Sequence, residues 1–434
     1  MPHERFHYDT LEEVRSTAEK LNAYLPLQQE ISPLFEPVTL NNGVRVANRF
    51  VFQPMEGTDG TAEGAPGELT FRRYARFAEG GPGIIWFEAV ATLRQARASA
   101  HQLWLTEQNA SEFRRITDGI REASLRENGY APVIIMQATN SGRYSKPNGT
   151  PEPMIAYHCP PLEADPLPDA CIVSDDDLKR FEEAYSTAAG LCQKAGFDGM
   201  DIKCCHRYLA SELLSAYDRP GIYGGSYENR TRFLKNCYRA ALAGLAHDPR
   251  FFLTSRMNIY DGFEYPYGFG VRPGTGTQPD YSEAIRLANE LQSEFHIPLL
   301  NFTMGNPYKN PHVNRPYDHG NYLPDEHPLT GVGRLMYGAK RIQNALSVPV
   351  IASGFSYLRQ YSVHLAAAMI ENGDCGFAGF GRMAFACPGF ISEVRQNRCI
   401  EKNTCCVSCG GCAALLREGR PAGCVVRDRE VYTL

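Results

Sequence analysis

Short apolar segments alternate with longer amphipathic segments along most of the chain. From Arg49 onward, runs rich in Val, Ile and Phe are separated by stretches in which apolar residues recur at helical spacing. The eight runs, each predicted to be a strand, are 50–54, 83–90, 132–138, 199–203, 251–257, 298–303, 348–352 and 376–379. The helices predicted between them are 68–78, 111–127, 178–194, 228–245, 281–294, 333–346 and 358–372.

Eight strand–helix units predict an α/β fold in which the sheet closes into a (β/α)8 TIM barrel. A doubly wound open sheet is the alternative. That fold would place a Gly-x-Gly-x-x-Gly turn after its first strand, and the sequence following residue 54 does not contain one. We therefore expect an active site at the carboxyl ends of the barrel strands.

Two smaller segments flank the predicted barrel. Thr10 and Glu13 form a capping box at the start of an amphipathic stretch, so residues 11–24 are predicted to be a helix. The predicted organisation is an N-terminal helical extension at 1–33, the barrel at 34–398 and a cysteine-rich segment at 399–434.

The predicted strand 199–203 ends in a cluster of titratable side chains. These are Lys203, His206, Arg207 and Tyr208, within six residues of one another. A loop with ordinary surface charges is the alternative interpretation. Because catalytic groups occupy the carboxyl ends of barrel strands, we predict that this cluster is catalytic.

The last two predicted strands end in glycines. Gly354 follows one strand, and Gly381 with Arg382 follows the other. Backbone N–H groups at glycines and a guanidinium group can together bind a phosphate. Two structural turns with a surface arginine are the alternative, but the position in the fold favours a phosphorylated cofactor.

Composition narrows the classes of partner. The chain has 434 residues, 43% of them hydrophobic, and a formal net charge of −5. This balance gives no basic surplus for nucleic acid or anionic lipid, so a small-molecule substrate is expected, with neither nucleic acid nor membrane as a partner. Acidic residues near the N-terminus and the lack of an apolar stretch of roughly 20 residues lead us to expect a cytoplasmic protein.

The cysteines are concentrated near the C-terminus. Four of the 14 cysteines, Cys406, Cys409, Cys412 and Cys424, have a spacing suited to a [4Fe-4S] cluster. Zinc is the alternative, but zinc sites usually consist of two separated pairs of ligands.

Several short motifs occur in a specific order. They are Leu34-Phe35-Glu36-Pro37, Asn48-Arg49, Pro54-Met55, Gln137, Ser141-Gly142-Arg143-Tyr144, Asp198-Gly199-Met200-Asp201-Ile202, Tyr208-Leu209, Tyr223-Gly224-Gly225-Ser226, Glu228-Asn229-Arg230, Arg256 and Gly381-Arg382. In this order the sequence resembles the old yellow enzyme-like, FMN-dependent NADH:flavin oxidoreductases. Within them it resembles the iron–sulfur branch that includes 2,4-dienoyl-CoA reductase and trimethylamine dehydrogenase.

The resemblance implies a set of cofactor contacts and two substrate contacts. Tyr208 matches the tyrosine that protonates the substrate carbon, and His206 matches the second residue of the pair that anchors the substrate. The implied FMN contacts are Pro54, Met55 and Gln137 at the flavin ring, Arg256 at its pyrimidine edge, and Gly354, Gly381 and Arg382 at the phosphate.

Three residues depart from the family pattern. Lys203 replaces the usual first anchoring histidine, and Arg207 replaces a small residue. Both are cations that we expect to bind a substrate carboxylate or carbonyl oxygen. Glu56 stands where Thr or Cys is common near the flavin, and its carboxylate would disfavour a reduced, anionic flavin unless it is paired.

The cysteine spacing also differs from that of the related reductases. Cys405, Cys412 and Cys424 align with their ligands, so Cys405 competes with Cys406 as the first ligand. In those relatives the cluster passes electrons to a second flavin domain. This sequence stops at Leu434 without that domain, so the expected electron donor is NAD(P)H or a separate protein.

These observations predict an FMN-dependent ene reductase that transfers hydride to an activated C=C bond, with Tyr208 as proton donor and a [4Fe-4S] cluster as electron relay. An electron-transfer flavoprotein of the amine dehydrogenase type is an alternative. A Schiff-base lyase with Lys203 as nucleophile is another. His206 and His312 are the alternative proton donors, and homo-oligomerisation is left open.

Overall fold

The structure, a computed structural model, describes residues 3–320 and 322–434. Its centre is a nine-stranded parallel sheet with strand order β7-β6-β5-β4-β3-β11-β10-β9-β8. A separate antiparallel hairpin contains β1 and β2. The strands are β1 (Val38–Thr39), β2 (Arg45–Val46), β3 (Phe50–Phe52), β4 (Ile84–Ala91), β5 (Val133–Thr139), β6 (Gly199–Ile202), β7 (Phe252–Thr254), β8 (Arg256–Asn258), β9 (Leu300–Thr303), β10 (Val350–Ser353) and β11 (Phe377–Phe380).

The sheet closes into a barrel at Ser255. β7 pairs with β6 and β8 pairs with β9, and this one residue separates the two segments. They therefore act as one strand of an eight-stranded barrel. The predicted TIM barrel is confirmed, and each of its eight strands begins within two residues of the predicted start. β4 and β5 are buried along their whole length, as expected for strands covered on both faces.

Most helices lie on the outside of the barrel, and each flanking segment also contains a helix. They are α1 (Leu11–Lys20), α2 (Glu68–Glu79), α3 (Ala110–Asn128), α4 (Asp175–Lys194), α5 (Leu209–Leu213), α6 (Tyr227–Gly244), α7 (Ser282–Phe295), α8 (Pro311–Asn314), α9 (Pro328–Gln343), α10 (Ser362–Glu371), α11 (Arg382–Ala386), α12 (Phe390–Asn397) and α13 (Gly411–Arg417).

Two helix starts differ from the prediction by four residues or more. α9 begins five residues earlier, at Pro328, because proline suits the first helical turn and the His327 ring accepts a hydrogen bond from the N–H of Leu329. α10 begins later, at Ser362, because Arg359 has a φ of 48° and interrupts the helical backbone before it.

Both flanking segments pack against the barrel. Phe6, Tyr8 and Val14 belong to the main hydrophobic core. At the other end, Asp428 accepts hydrogen bonds from Arg72 and Arg76 of α2. Residues of α13 line the cleft described below.

In the described part of the chain, no helix combines the length and the apolar character needed to span a bilayer.

Candidate active site

A cleft of about 1250 Å³ opens at the carboxyl ends of the barrel strands. Cys412, Ala413 and Leu416 of the cysteine-rich segment form part of its wall. Most of the site residues predicted from the sequence line it: Pro54, Met55, Glu56, Gln137, Lys203, His206, Tyr208, Arg256, Gly354, Gly381 and Arg382. The closed barrel therefore brings together side chains from six strand ends.

The turn after β6 separates the side chains of its titratable cluster. His206 and Arg207 have φ angles of 63° and 62°, a left-handed conformation that is uncommon for residues other than glycine. Such strained pairs cluster at functional sites. Here they place His206 and Tyr208 in the cleft and turn Arg207 away from it.

Arg207, which the sequence analysis expects to bind substrate, does not line the cleft. Its side chain is fully buried and forms an ion pair with Asp261 at 3.0 Å. It also donates hydrogen bonds to the hydroxyl of Tyr157 at 2.8 Å and to the carbonyl oxygen of Tyr267 at 3.1 Å. Arg207 holds three loops together, because a buried guanidinium needs each of these partners.

Glu56 is paired within the cleft. Its Oε1 atom lies 3.4 Å from the Nζ atom of Lys203 and accepts hydrogen bonds from the hydroxyl of Tyr208 at 3.3 Å and from Nε2 of Gln102 at 3.2 Å. The two departures from the family pattern, Lys203 and Glu56, therefore compensate each other. The sequence analysis left open whether the Glu56 carboxylate is paired, and in the structure it is paired with Lys203.

Tyr208 has a second hydroxyl partner that the sequence analysis missed. The hydroxyl oxygen of Tyr308 lies 3.2 Å from that of Tyr208. The ring of Tyr308 stacks on the ring of Tyr144, with the two ring centroids 4.1 Å apart. Burial, and then the charge of Glu56, raises the pKa of Tyr208 well above its ordinary value. Tyr208 is therefore neutral and has a proton to donate. The sequence feature that could have identified Tyr308 is its position shortly after the predicted strand 298–303.

His206 is held as a neutral imidazole. Burial, followed by the nearby charges of Arg256 and Lys203, lowers its pKa well below the ordinary value. Its Nε2 atom lies 3.3 Å from Nδ2 of Asn314. His312 does not line the cleft, and its ring contacts the hydroxyl of Tyr322 instead.

Asp201 of β6 positions two of the predicted cofactor contacts. Its carboxylate accepts hydrogen bonds from Nε2 of Gln137 at 2.6 Å, from the N–H of Arg256 at 2.7 Å and from the indole of Trp86 at 2.7 Å. Burial raises the pKa of Asp201 to about 6. This residue belongs to a sequence motif, but its role emerges only when β5, β6 and β8 lie side by side.

The floor of the cleft fits a large anionic group. The Nε atoms of Arg256 and Arg382 are buried there without a hydrogen-bond partner among the described residues. A Cβ atom at Gly381 would lie 2.8 Å from the sulfur of Met55 and would displace that side chain, and Gly354 has a φ of 110°. Open guanidinium donors beside glycines are the arrangement that binds phosphate.

The cysteines of the C-terminal segment line a second, smaller cavity of about 340 Å³. Its lining includes Cys406, Cys409, Cys412 and Cys424, and also Cys405. Within residues 3–320 and 322–434, however, no three His, Cys, Asp or Glu side chains stand close enough together to form a ready metal site. The cysteines line one cavity, but their side chains do not meet at a common point.

Backbone N–H groups point at two of these sulfurs. The N–H of Ser408 lies 3.4 Å from the sulfur of Cys406, and the N–H of Arg427 lies 3.3 Å from that of Cys424. N–H donors of this kind stabilise thiolates that ligate iron–sulfur clusters. The thiol of Cys405 instead donates to the carbonyl oxygen of Glu401 at 3.2 Å.

A family model described as the NADH:flavin oxidoreductase / NADH oxidase family matches residues 33–264, more than half of the chain. The chain belongs to this family. The part that matches this flavin oxidoreductase family contains Glu56, Gln137, Lys203 and Tyr208. Membership of an oxidoreductase family, together with the ion pair that engages Lys203, removes the support for the Schiff-base lyase alternative.

Named proteins similar in sequence to this chain include an NADPH dehydrogenase and an NADH oxidase. An NADPH dehydrogenase of Bacillus pumilus (strain SAFR-032) is 31% identical over 211 residues, which are 48% of this chain and 59% of that enzyme. An NADH oxidase of Thermoanaerobacter brockii is 23% identical over 391 residues, which are 87% of this chain and 53% of the oxidase. The chain thus spans little more than half the length of these relatives.

Solved structures share the fold. A complex of 2-naphthoyl-CoA reductase with 2-naphthoyl-CoA matches with a TM-score of 0.74 at 19% identity, covering 92% of this chain and 57% of that one. The old yellow enzyme homologue from Zymomonas mobilis matches with a TM-score of 0.63 at 18% identity, covering 92% of this chain and 99% of that one. At identities of 18–19%, the structural similarity establishes the barrel fold alone.

Proposed function

We propose that this protein is an FMN-dependent ene reductase that reduces an activated C=C bond of a small molecule. The observation that carries the proposal is the meeting of Tyr208 and Lys203 in the cleft that also holds the open guanidinium donors of Arg256 and Arg382. A proton donor, a cation and an anion-binding floor in one cleft are what such a reduction requires.

The floor of the cleft would hold FMN. Gly354, Gly381 and Arg382 would bind its phosphate, and Pro54, Met55, Gln137 and Arg256 would contact its ring system. Reduced FMN, bound there, would supply the hydride for the β-carbon of the alkene. Asp201 keeps Gln137 and the Arg256 backbone in position for this contact.

The residues above the floor handle the proton and the developing charge. Tyr208 gives its hydroxyl proton to the α-carbon of the substrate. Lys203 is the cation that faces the oxygen on which negative charge develops, since its ammonium group lies in the same cleft. His206, held neutral beside Asn314, donates a hydrogen bond to that oxygen.

The C-terminal segment is proposed to bind a [4Fe-4S] cluster, as in the iron–sulfur branch that the sequence resembles. Cys406, Cys409, Cys412 and Cys424 would be the ligands. Their common cavity and the N–H groups that point at Cys406 and Cys424 support this set, and they favour Cys406 over Cys405 as first ligand. The cluster would relay electrons between FMN and an electron-donor protein. NAD(P)H is the alternative donor, supported by the names of the relatives.

Cofactor content and turnover together test this proposal. Protein purified without oxygen is expected to contain FMN and close to one four-iron cluster per chain, and to reduce members of a panel of enones and enoates. Bound zinc with neither iron nor acid-labile sulfide would overturn the cluster. Bound FMN without reduction of any alkene in the panel, combined with oxidation of amines, would instead favour the amine dehydrogenase type.

A further inference from the structure

Arg315 and Arg417 line the cleft but have no role in the proposed reaction. We infer that these two arginines bind an anionic group of the substrate, a carboxylate or a phosphate, at a distance from the C=C bond that is reduced. This inference deepens the proposed function by naming a class of substrate, and it rests on that function.

The guanidinium of Arg315 is buried without a partner. The residue is 8% exposed, and its Nε and Nη1 atoms make no hydrogen bond within the described residues. Arg207, which is also buried, forms an ion pair with Asp261. A buried cation that lacks such a pair costs free energy until an anion binds to it.

The cleft has an excess of positive charge. Bound FMN would add a phosphate of about two negative charges, so a cationic excess of about two would remain in the cleft. The charged side chains of the lining, among the residues that the structure describes, are five cations and one carboxylate: Lys203, Arg256, Arg315, Arg382 and Arg417, with Glu56.

Arg315 belongs to the cleft and not to the cysteine cavity. It lines the cleft alone, whereas Arg382 lines both the cleft and the cavity of the cysteine-rich segment. The residue that precedes it, Asn314, lies with its Nδ2 atom 3.3 Å from Nε2 of His206. Arg315 is therefore part of the wall beside a proposed substrate contact.

Arg417 lies at the mouth of the cleft, near the other substrate contact. It is exposed, and it donates a hydrogen bond to the carbonyl oxygen of Pro307 at 3.0 Å. Pro307 precedes Tyr308, whose hydroxyl oxygen lies 3.2 Å from that of Tyr208. The charges of Arg417 and Arg315 repel each other, and an anion bound by both would relieve this repulsion.

Guanidinium groups suit this class of ligand. Each can donate two parallel hydrogen bonds to the oxygens of a carboxylate or a phosphate. Binding of a group remote from the reacting carbons can orient the alkene for the reaction. We therefore expect alkenes with a remote anionic group to be better substrates than their neutral analogues.

Steady-state kinetics of the holoenzyme with matched alkenes test the inference. One pair is an enone with a side-chain carboxylate and its methyl ester; the other is an enone with a side-chain phosphate and the parent alcohol. Each pair is made with several spacer lengths. For at least one pair, kcat/KM should be about 10-fold or more higher for the charged member. Equal values at every spacer length would overturn the inference and leave the ene reductase intact.

Substitution of Arg315 should remove this preference. Arg315→Met should raise the KM for the charged alkene about 10-fold and leave the KM for its neutral partner unchanged. Arg315→Lys should retain part of the preference, because it keeps a cation. Arg417→Met should have a smaller effect, since Arg417 is exposed. Arg395→Met on α12, which removes a cation outside the cleft, is the control and should keep the wild-type preference.

Thermal stability provides a readout that a purely structural role would not give. Because Arg315 lacks a partner, the ligand-free Arg315→Met holoenzyme should have a Tm equal to or above that of the wild type. A lower Tm would show that the protein itself holds the guanidinium, and would overturn the inference. The saturated carboxylic acid should raise the wild-type Tm more than its methyl ester does, and Arg315→Met should lose this difference.

The contrary results are distinguishable. Weaker FMN binding in Arg315→Met, with an unchanged preference for charged alkenes, would assign Arg315 to the FMN phosphate and overturn the inference. Loss of iron with an unchanged preference would assign it to the cysteine-rich segment, with the same consequence.

Failure of the proposed function gives a different result. A wild-type protein that reduces no alkene overturns the ene reductase. The anion site then stands if the saturated acid raises the Tm more than its ester, and falls if it does not. If Arg315→Met does not fold, the wild-type comparison of charged and neutral alkenes still decides the inference.

Discussion

The ammonium group of Lys203 lies over the face of the Tyr208 ring, 3.7 Å from the ring centroid. A cation in this position is attracted to the aromatic face and fixes the ring in the cleft. Because the same ammonium group pairs with Glu56, one side chain positions both the predicted proton donor and the carboxylate beside it.

Tyr208→Phe separates the two half-reactions. It should leave FMN bound and flavin reduction by the donor nearly unchanged, because that step does not use the hydroxyl group. Alkene reduction should slow by about 100-fold or more, the usual effect of losing a positioned general acid. Stopped-flow measurement of both steps provides the internal control. Equal rates of alkene reduction would place the donor elsewhere, with His206 as the next candidate.

Lys203→Met should destabilise the protein and weaken alkene reduction. Its side chain is 4% exposed, so its removal leaves the partly buried Glu56 carboxylate without its cation. We expect the free energy of unfolding to fall by about 3 kcal/mol, measured by urea denaturation of the holoenzyme. The double variant Lys203→Met/Glu56→Gln should regain most of this loss. If the double variant is no more stable than Lys203→Met, loss of the Lys203–Glu56 ion pair is not the cause of the lower free energy of unfolding.

Arg207→Met should reduce stability without weakening substrate binding. The Arg207–Asp261 pair is fully buried, so its loss should cost about 4 kcal/mol in the free energy of unfolding. The KM of the folded fraction for an alkene should stay unchanged, whereas Lys203→Met should raise it. A raised KM in Arg207→Met at full FMN occupancy would restore the substrate role that the sequence suggested.

Paired cysteine variants decide the first cluster ligand. Cys406→Ala should abolish the four-iron content of anaerobically purified protein, while Cys405→Ala should retain it, because N–H donation points at the sulfur of Cys406. Iron and acid-labile sulfide per chain are the measurements. Cys399→Ala, an exposed neighbour, is the matched control. Iron retained in Cys406→Ala and lost in Cys405→Ala would reverse the assignment.

Arg382→Met should weaken FMN binding. Removing a guanidinium that bonds to a phosphate costs about 2 kcal/mol, which corresponds to about a 30-fold rise in Kd. Fluorescence titration of the apoprotein with FMN measures this change. Arg395→Met on α12, which removes a cation outside the cleft, is the control. Unchanged affinity in Arg382→Met would move the phosphate site away from the end of β11.

The local pattern of the chain was sufficient for the barrel and for most of the cleft. Alternation of apolar runs with helical stretches is visible within short windows, because each strand or helix buries its own face. The carboxyl ends of parallel strands necessarily meet, so residues that follow strands, such as Tyr208 and Arg382, could be assigned to one site before the tertiary structure was known.

Only the tertiary structure decided which of these side chains interact. Glu56 and Lys203 are separated by 147 residues, and Tyr208 and Tyr308 by 100. Their pairing depends on how barrel closure sets the distances between strand ends. Arg207 turns away because it and His206 adopt left-handed backbone angles that their residue types do not favour. Contacts between distant segments and strained backbone angles result from the packing of the whole fold, and short sequence windows do not contain that information.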